Sequence, residues 1–412
     1  MIRVLIADDS AFMRQILTDL FNRQPDFETA GVARDGQEAV NKVLELSPDL
    51  VTMDVNMPVM DGLKALEIIM RDQPTPVVML SSLTQAGTEQ TIRALELGAV
   101  DFISKAGGSI SKVDSIAGEI LEKCRNAAKA KVKQLLPADL ERERPGPAFK
   151  EGPPNLRRVS LPQRRGYQPP QPPQPPQAPP RLTGGNPYGG QRYNPLLEGK
   201  PRRQPPDPPS RPSPVQMKAG GKGADKLVVI GTSTGGPQAL QNVITRLPGQ
   251  LPCGVLVVQH MPAGFTKALA GRLDAISEVS VKEAEDGDVI KPGHVYIAPG
   301  NYHMRLRTEG QAKKIVLGQD PPVGNHRPAV NVTYDSVAAL GRKLVAVIMT
   351  GMGCDGCEGM GKIKSAGGYS IAQDESTCVV YGMPKAVVDA GLADEVRPVQ
   401  EIAQAIVEAV KR

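Results

Sequence analysis

Short apolar runs recur through the first 105 residues with helical stretches between them, and this beat restricts the possible folds more than any other feature. Residues 2–7, 29–33, 50–53, 77–80 and 100–103 lack the polar alternation of a half-exposed strand, so they read as strands buried on both faces. Residues 11–21, 36–46, 62–70 and 88–97 have helical spacing, and 113–135 follows the last run. Five strands alternating with five helices predict a doubly wound parallel sheet, with its site at the carboxyl ends of the strands.

The beat stops after residue 136. Residues 169–180 alone hold eight Pro, a Pro-Pro-Gln pattern that favours extended polyproline II and builds no packed core. Residues 137–224 carry 15 Lys+Arg against 6 Asp+Glu, a local +9 within a chain of net +5, which leaves −4 for the rest. Basicity therefore belongs to a tether, and the folded parts offer no basic nucleic-acid-binding face. From Lys226 the alternation resumes. Strand signals fall at 227–230, 254–258, 295–298, 304–307, 314–317, 344–349 and 369–372. Helical signals fall at 238–247, 264–276, 332–340, 356–365, 384–390 and 399–410. The stretch 279–317 has strands and turns without helices, which predicts a hairpin insertion. The expected organisation is a domain at 1–136, a Pro-rich basic linker at 137–224 and a second α/β domain at 225–412. No run of 18 apolar residues and no basic-then-apolar leader is present, so neither membrane insertion nor secretion is expected. Five Cys without a framework suit a reducing cytoplasm, and the Cys354/Cys357 pair lacks the further ligands of a zinc site.

Polar residues collect where the strands end. Asp8 and Asp9 follow the first, Asp54 the third, Ser81 and Ser82 the fourth and Lys105 the fifth. Three converging carboxylates repel one another unless a cation is present, and hard oxygen ligands suit Mg²⁺. A hydroxyl and an ammonium opposite them would grip an anionic group added to one carboxylate. In the second domain, Lys226-Leu-Val-Val-Ile-Gly-Thr-Ser-Thr-Gly-Gly-Pro237 reads as strand, turn and helix. Ser233 on that turn is arranged as a nucleophile would be. A Gly-rich phosphate cradle or a plain tight turn are the alternatives, although the G-x-G-x-x-G spacing is broken and no P-loop Lys follows. His260 directly follows one buried strand and Asp355 lies in a Gly-rich turn after another. Ser, His and Asp at three strand ends of one sheet can converge as nucleophile, base and orienter, in an order unlike those of chymotrypsin, subtilisin or the α/β-hydrolases.

Ala7-Asp-Asp-Ser10, Met53-Asp-Val-Asn-Met-Pro58 with Met60-Asp-Gly62, and Asp101-Phe-Ile-Ser-Lys105 resemble a response-regulator receiver domain. The resemblance implies a flavodoxin-like fold with Asp54 as phosphoacceptor. It also implies Mg²⁺ held by Asp8, Asp9, Asp54 and the Asn56 carbonyl, with Ser81 and Lys105 contacting the phosphoryl group. Phe102 matches an aromatic position that moves on activation, while Ala106 stands where receivers usually have Pro.

Gly231-Thr-Ser-Thr-Gly-Gly236, Gln259-His-Met-Pro262, Ala298-Pro-Gly300, His326-Arg-Pro328, Thr350-Gly-Met-Gly-Cys-Asp-Gly356, and Gln373-Asp-Glu375 with Tyr381-Gly-Met-Pro384 resemble the protein-glutamate methylesterases of bacterial chemotaxis, the CheB family. That resemblance implies hydrolysis of γ-glutamyl methyl esters on methyl-accepting chemoreceptor cytoplasmic domains, with release of methanol, and deamidation of receptor glutamines. It implies Ser233 as nucleophile, His260 as base, Asp355 as orienter and the backbone N–H groups of Thr234 and Met352 as oxyanion donors. The phosphodonor would be the chemotaxis histidine kinase CheA, and no cofactor is implied for the esterase domain. His303, His326 and Arg327 are weaker candidates for substrate contact or site structure. Two other outputs compete: a DNA-binding domain, which would need a helix-turn-helix and a basic face, and a catalytically silent docking module, which would have no need of all three triad residues.

Overall fold

The computed structural model describes residues 1–82, 84–105, 110–130, 132, 215, 225–310 and 312–412, all within one compact unit. Almost all of the Pro-rich linker, and Ala106, lie outside the described residues.

The first sheet is built from β1 (Ile2–Ala7), β2 (Phe27–Ala33), β3 (Leu50–Asp54), β4 (Val77–Ser82) and β5 (Asp101–Lys105). All its pairings are parallel, in the order β2-β1-β3-β4-β5. Its helices are α1 (Ala11–Asn22), α2 (Gly36–Leu46), α3 (Gly62–Asp72), α4 (Gln85–Glu96) and α5 (Ile110–Ala127). Each of the first four starts on a side-chain cap that satisfies an otherwise orphaned amide: Ser10 for Met13, Asp35 for Glu38, Asp61 for Lys64 and Thr84 for Gly87. Three of these caps, Ser10, Asp61 and Thr84, lie in the connections that follow the polar ends of β1, β3 and β4. Apolar periodicity placed the last helix at 113–135. It begins earlier and stops at Ala127, where the amides of Lys129 and Ala130 close a turn.

The second sheet has seven parallel strands: β6 (Leu227–Thr232), β7 (Gly254–Gln259), β8 (Ser280–Glu283), β9 (His294–Ile297), β12 (Leu344–Ile348), β13 (Tyr369–Gln373) and β14 (Glu395–Arg397). Their order is β14-β13-β12-β6-β7-β9-β8. β10 (His303–Glu309) and β11 (Ala312–Gly318) pair as the expected antiparallel hairpin outside this sheet. The helices are α6 (Gly236–Ile244), α7 (Phe265–Ile276), α8 (Val330–Val337), α9 (Cys357–Ser365), α10 (Met383–Asp389) and α11 (Val399–Lys411). β6, β7 and β12 are buried along their whole length, which is why they read as unbroken apolar runs. β8 and β14 gave no such signal because they are short edge strands with partly exposed residues. The chain leaves β6 toward β7 on one side and returns on the other through β12. That reversal makes a switch point between β6 and β12, where open α/β sheets form their clefts.

Candidate active site and phosphoacceptor cluster

Ser233 leaves β6 on a turn held by three bonds. Its amide donates to Thr350 O (3.0 Å), and its carbonyl accepts from Gly236 N (2.7 Å) and from Gln259 Nε2 (2.9 Å). Gly236 has to be glycine, because a Cβ there would stand 1.9 Å from Gln259 Oε1 and 2.0 Å from Thr232 Oγ1. The Ser233 hydroxyl lies 3.2 Å from His260 Nδ1, and His260 Nε2 lies 2.8 Å from Asp355 Oδ2. With its Nε2 proton given to Asp355, the imidazole keeps a lone pair on Nδ1 facing the hydroxyl. The side chains of His260 and Asp355 are 6% and 10% exposed.

The Asp355 carboxylate also accepts from the amides of Val330 (2.6 Å) and Asn331 (2.9 Å) at the start of α8. Burial works to raise its pKa, but the bond to His260, the His260 charge and the two amides outweigh burial and hold it below the usual carboxylate range. The side chain of Asn331 in turn accepts from the amides of Gly356 and Gly359, so α8 is tied both to the turn carrying Asp355 and to the first turn of α9.

Thr234 and Met352 have backbone N–H groups with no intramolecular acceptor among the described residues. Gly351 brings the second of these up to the nucleophile: a Cβ at Gly351 would stand 2.9 Å from Ser233 Cβ. Gln373 holds that loop through Thr350 N (2.8 Å) and Thr377 O (2.8 Å). Two free amides beside a hydroxyl engaged by an imidazole are suited to a tetrahedral oxyanion.

Of the weaker candidates, His326 stacks on His260 with ring centroids 3.8 Å apart and planes 12° off parallel. Arg327 is engaged structurally, by Asn301 Oδ1 and the carbonyls of Gln319 and Asp320. His303 is fully buried, with Nε2 on Pro321 O (3.1 Å). Cys354 and Cys357 are free thiols, and Cys357 Sγ donates to Ala386 O (3.4 Å).

At the ends of β1 and β3, carboxylate oxygens of Asp8, Asp9 and Asp54 lie within 4.8 Å of one another. Lys105 Nζ reaches Asp8 Oδ2 (2.9 Å) and Asp54 Oδ2 (2.8 Å). Burial pushes the Asp54 carboxyl above its ordinary range despite Lys105, and the charge of Asp8 adds to the push. Asn56 lies just past β3, and its side chain accepts a long 3.5 Å contact from Gln90. Ser81 is turned onto α4: its hydroxyl donates to Gly87 O (3.0 Å) and accepts from Thr91 Oγ1 (2.6 Å).

No local pattern marks where the first sheet's α4–β5–α5 edge lies. Asp101 Oδ2 accepts from Thr234 Oγ1 at 2.7 Å, one residue from the nucleophile. Gln238 Nε2 donates to Leu95 O (2.9 Å), and Arg272 pairs with Glu96. Phe102, flagged by its motif, packs on Phe265 of α7 with centroids 4.4 Å apart and ring planes tilted by 32°. Lys123 lies over the Phe102 ring, 5.0 Å from its centroid, and donates to Phe102 O. Burial opposes the charge on Lys123, but Asp101 and Glu119 keep its pKa above the usual lysine value.

Comparison with known proteins shows which families the two parts of the chain match. Residues 228–406 match the CheB methylesterase family, and residues 4–113 match the response regulator receiver domain. The chain is 46% identical over 410 residues to the protein-glutamate methylesterase/protein-glutamine glutaminase of Symbiobacterium thermophilum, covering 99% of this chain and 97% of that protein. It is 42% identical over 411 residues to the protein of the same name from Thermotoga maritima, covering 99% and 98%. The crystal structure of the Thermotoga maritima CheB methylesterase catalytic domain is 50% identical, covers 44% of this chain and 97% of that one, and superposes with a TM-score of 0.44. The chain therefore belongs to the protein-glutamate methylesterase/protein-glutamine glutaminase family, with a receiver domain preceding a CheB methylesterase domain.

Proposed function

We propose that this protein hydrolyses γ-glutamyl methyl esters on the cytoplasmic domains of methyl-accepting chemoreceptors and deamidates receptor glutamines, under control of its receiver. The observation that carries the reading is the line from Ser233 Oγ through His260 to Asp355 at the switch point, beside the free amides of Thr234 and Met352. Ser233 Oγ attacks the ester carbonyl carbon while its proton passes to His260 Nδ1. The carbonyl oxygen becomes an oxyanion held by the two amides, each worth about 3 kcal/mol in hydrolases of this type. The C–O bond to methoxide breaks as His260 returns the proton, releasing methanol and leaving an acyl-serine. Water then attacks that acyl group with His260 again as base, which regenerates Ser233 and a glutamate carboxylate. For a glutamine the leaving group is ammonia, and the steps are otherwise the same. Asp355 holds the imidazole and offsets the imidazolium charge that develops.

Asp54 is the phosphoacceptor, with CheA as donor. The hard oxygen donors of Asp8, Asp9 and Asp54, with the Asn56 carbonyl, fit Mg²⁺. When bound, the ion neutralises charge on the transferring phosphoryl group. Lys105 then pairs with the phosphoryl oxygens, and Ser81 turns from α4 to donate its hydroxyl. Unphosphorylated, the receiver bonds the turn of Ser233 through Asp101 and meets α6 and α7 through Leu95 and Phe102, and phosphorylation loosens these contacts by favouring a different α4–β5 arrangement. The esterase domain works without a cofactor. A cytoplasmic site of action goes with this substrate, and among the described residues no helix is long and apolar enough to cross a membrane.

The test is methanol release from a methylated chemoreceptor fragment, for wild type and Ser233→Ala, each with and without acetyl phosphate and Mg²⁺. Release that requires Ser233 and rises with phosphodonor supports both the esterase and its switch. Equal release from Ser233→Ala overturns the catalytic assignment, and release indifferent to phosphodonor overturns the switch.

A further inference from the structure

Two hydrogen bonds hold the ring of His260, one at each nitrogen. They fix the line through Nδ1 and Nε2 but not rotation about it. The ring can rock about that line with little change in either distance, while its Nδ1 lone pair swings out of the direction of Ser233 Oγ. Proton transfer depends on that direction, so the face of the ring needs a stop.

His326 supplies a flat one. Its ring lies 3.8 Å from that of His260 and within 12° of parallel, which blocks rocking to that side. Among the described residues no hydrogen bond is made by its own ring nitrogens, so stacking is its interaction with the site. Burial first, then the charges of His260 and Lys123, lower its pKa to about 4 against the opposing effect of Asp355. At neutral pH it is uncharged and does not repel the imidazolium that forms during turnover.

The segment bearing His326 is anchored independently of the triad. His326 exchanges both backbone bonds with Val323 at 3.0 Å. Arg327 O accepts from Asn301 N (3.0 Å), and its guanidinium is tied to Asn301, Gln319 and Asp320. A few residues on, the amides of Val330 and Asn331 grip Asp355. One stretch of chain therefore restrains both the base and its orienter.

We propose that His326 is a positioning residue for the general base, its ring acting as the face against which His260 is held in the plane of Ser233 and Asp355. The proposal rests on the triad reading above. It is tested on the full chain, activated with acetyl phosphate and Mg²⁺, by kcat and KM for methanol release and by the rate at which a fluorophosphonate labels Ser233. His326→Ala is expected to lower kcat and the labelling rate about tenfold with KM within twofold of wild type. His326→Phe, which keeps a flat ring, should recover both to within about threefold, whereas His326→Leu, apolar but without a flat ring, should not. Wild-type kcat in His326→Ala, or Leu matching Phe, overturns the proposal. A rise in KM with kcat unchanged also overturns it, in favour of a substrate contact. If the Ala variant does not fold, the Phe and Leu pair decides alone. Full methanol release from Ser233→Ala would instead remove the catalytic reading itself, and labelling of Ser233 without methanol release would remove the substrate while leaving the positioning test intact.

Discussion

Removing the carboxylate of Asp101 should switch on part of the esterase without any phosphodonor. Asp101 belongs to the receiver, yet its Oδ2 accepts from Thr234 Oγ1 at 2.7 Å with the Asp101 side chain only 13% exposed. A hydrogen bond to a charged, largely shielded acceptor contributes about 1.5–3 kcal/mol. Because the bond exists only when the receiver is docked, its loss moves the docked-to-released ratio by roughly 10- to 150-fold, at 1.4 kcal/mol per factor of ten. Basal methanol release by Asp101→Ala should rise by up to that factor, capped by the rate of the fully released enzyme. Asp101→Asn keeps an acceptor and loses only the charge, so its rise should be several-fold. Asp101 also caps Phe102 N (2.8 Å) and lies 3.4 Å from Lys123, which retains Glu119 as a partner in either variant. The assay is the initial rate of methanol release with and without saturating acetyl phosphate, alongside thermal melts. With phosphodonor, both variants should converge on wild type. An unchanged basal rate in a variant that melts like wild type would refute the latch, and so would a rise of equal factor in the phosphorylated protein.

Asp355→Asn should lower kcat by roughly 10³–10⁴, because an amide that donates to His260 Nε2 imposes the wrong tautomer; saturating methanol-release kinetics would show it, and a loss below tenfold would remove Asp355 as orienter. Gly236→Ala should cost about 1–3 kcal/mol in denaturant melts and abolish labelling of Ser233, since its Cβ collides with Gln259 and Thr232 in the turn behind the nucleophile. His326 should make the fold acid-sensitive. Its folded-state pKa of about 4 lies below the ordinary 6.5, so the unfolded chain binds the proton first. The associated stability is present above pH 6.5 and is lost as pH falls to 4, by roughly 3 kcal/mol at most. Melts of wild type and His326→Phe between pH 7.5 and 4 should therefore converge or cross as pH falls, and parallel curves would refute the assignment.

Much of the architecture was legible in local pattern. The buried strands β6, β7 and β12 showed as unbroken apolar runs, and the turns after them carried Ser233, His260 and Asp355 in view. The same held for Asp8, Asp54 and Lys105, because strand ends are where a parallel sheet opens to solvent and polar residues there interrupt an apolar beat. What stayed hidden was short, exposed or non-local. The edge strands β8 and β14 lack an apolar run, and the end of α5 is set by a turn rather than by periodicity. Ser81 reads as a phosphoryl contact from its place at the end of β4, but no local pattern shows that its hydroxyl is bonded to Gly87 and Thr91 of α4 in this structure.

Local pattern was enough for two parallel α/β sheets, a Pro-rich break between them and the chemistry available at each set of strand ends. Periodicity and turn chemistry are properties of a few neighbouring residues, so one chain suffices to read them. Tertiary structure alone decided that Asp101 meets Thr234 across 133 positions of sequence, and that His326 lies flat on His260. Such contacts join segments with no local pattern in common, and only the packing of one completed surface on another selects them.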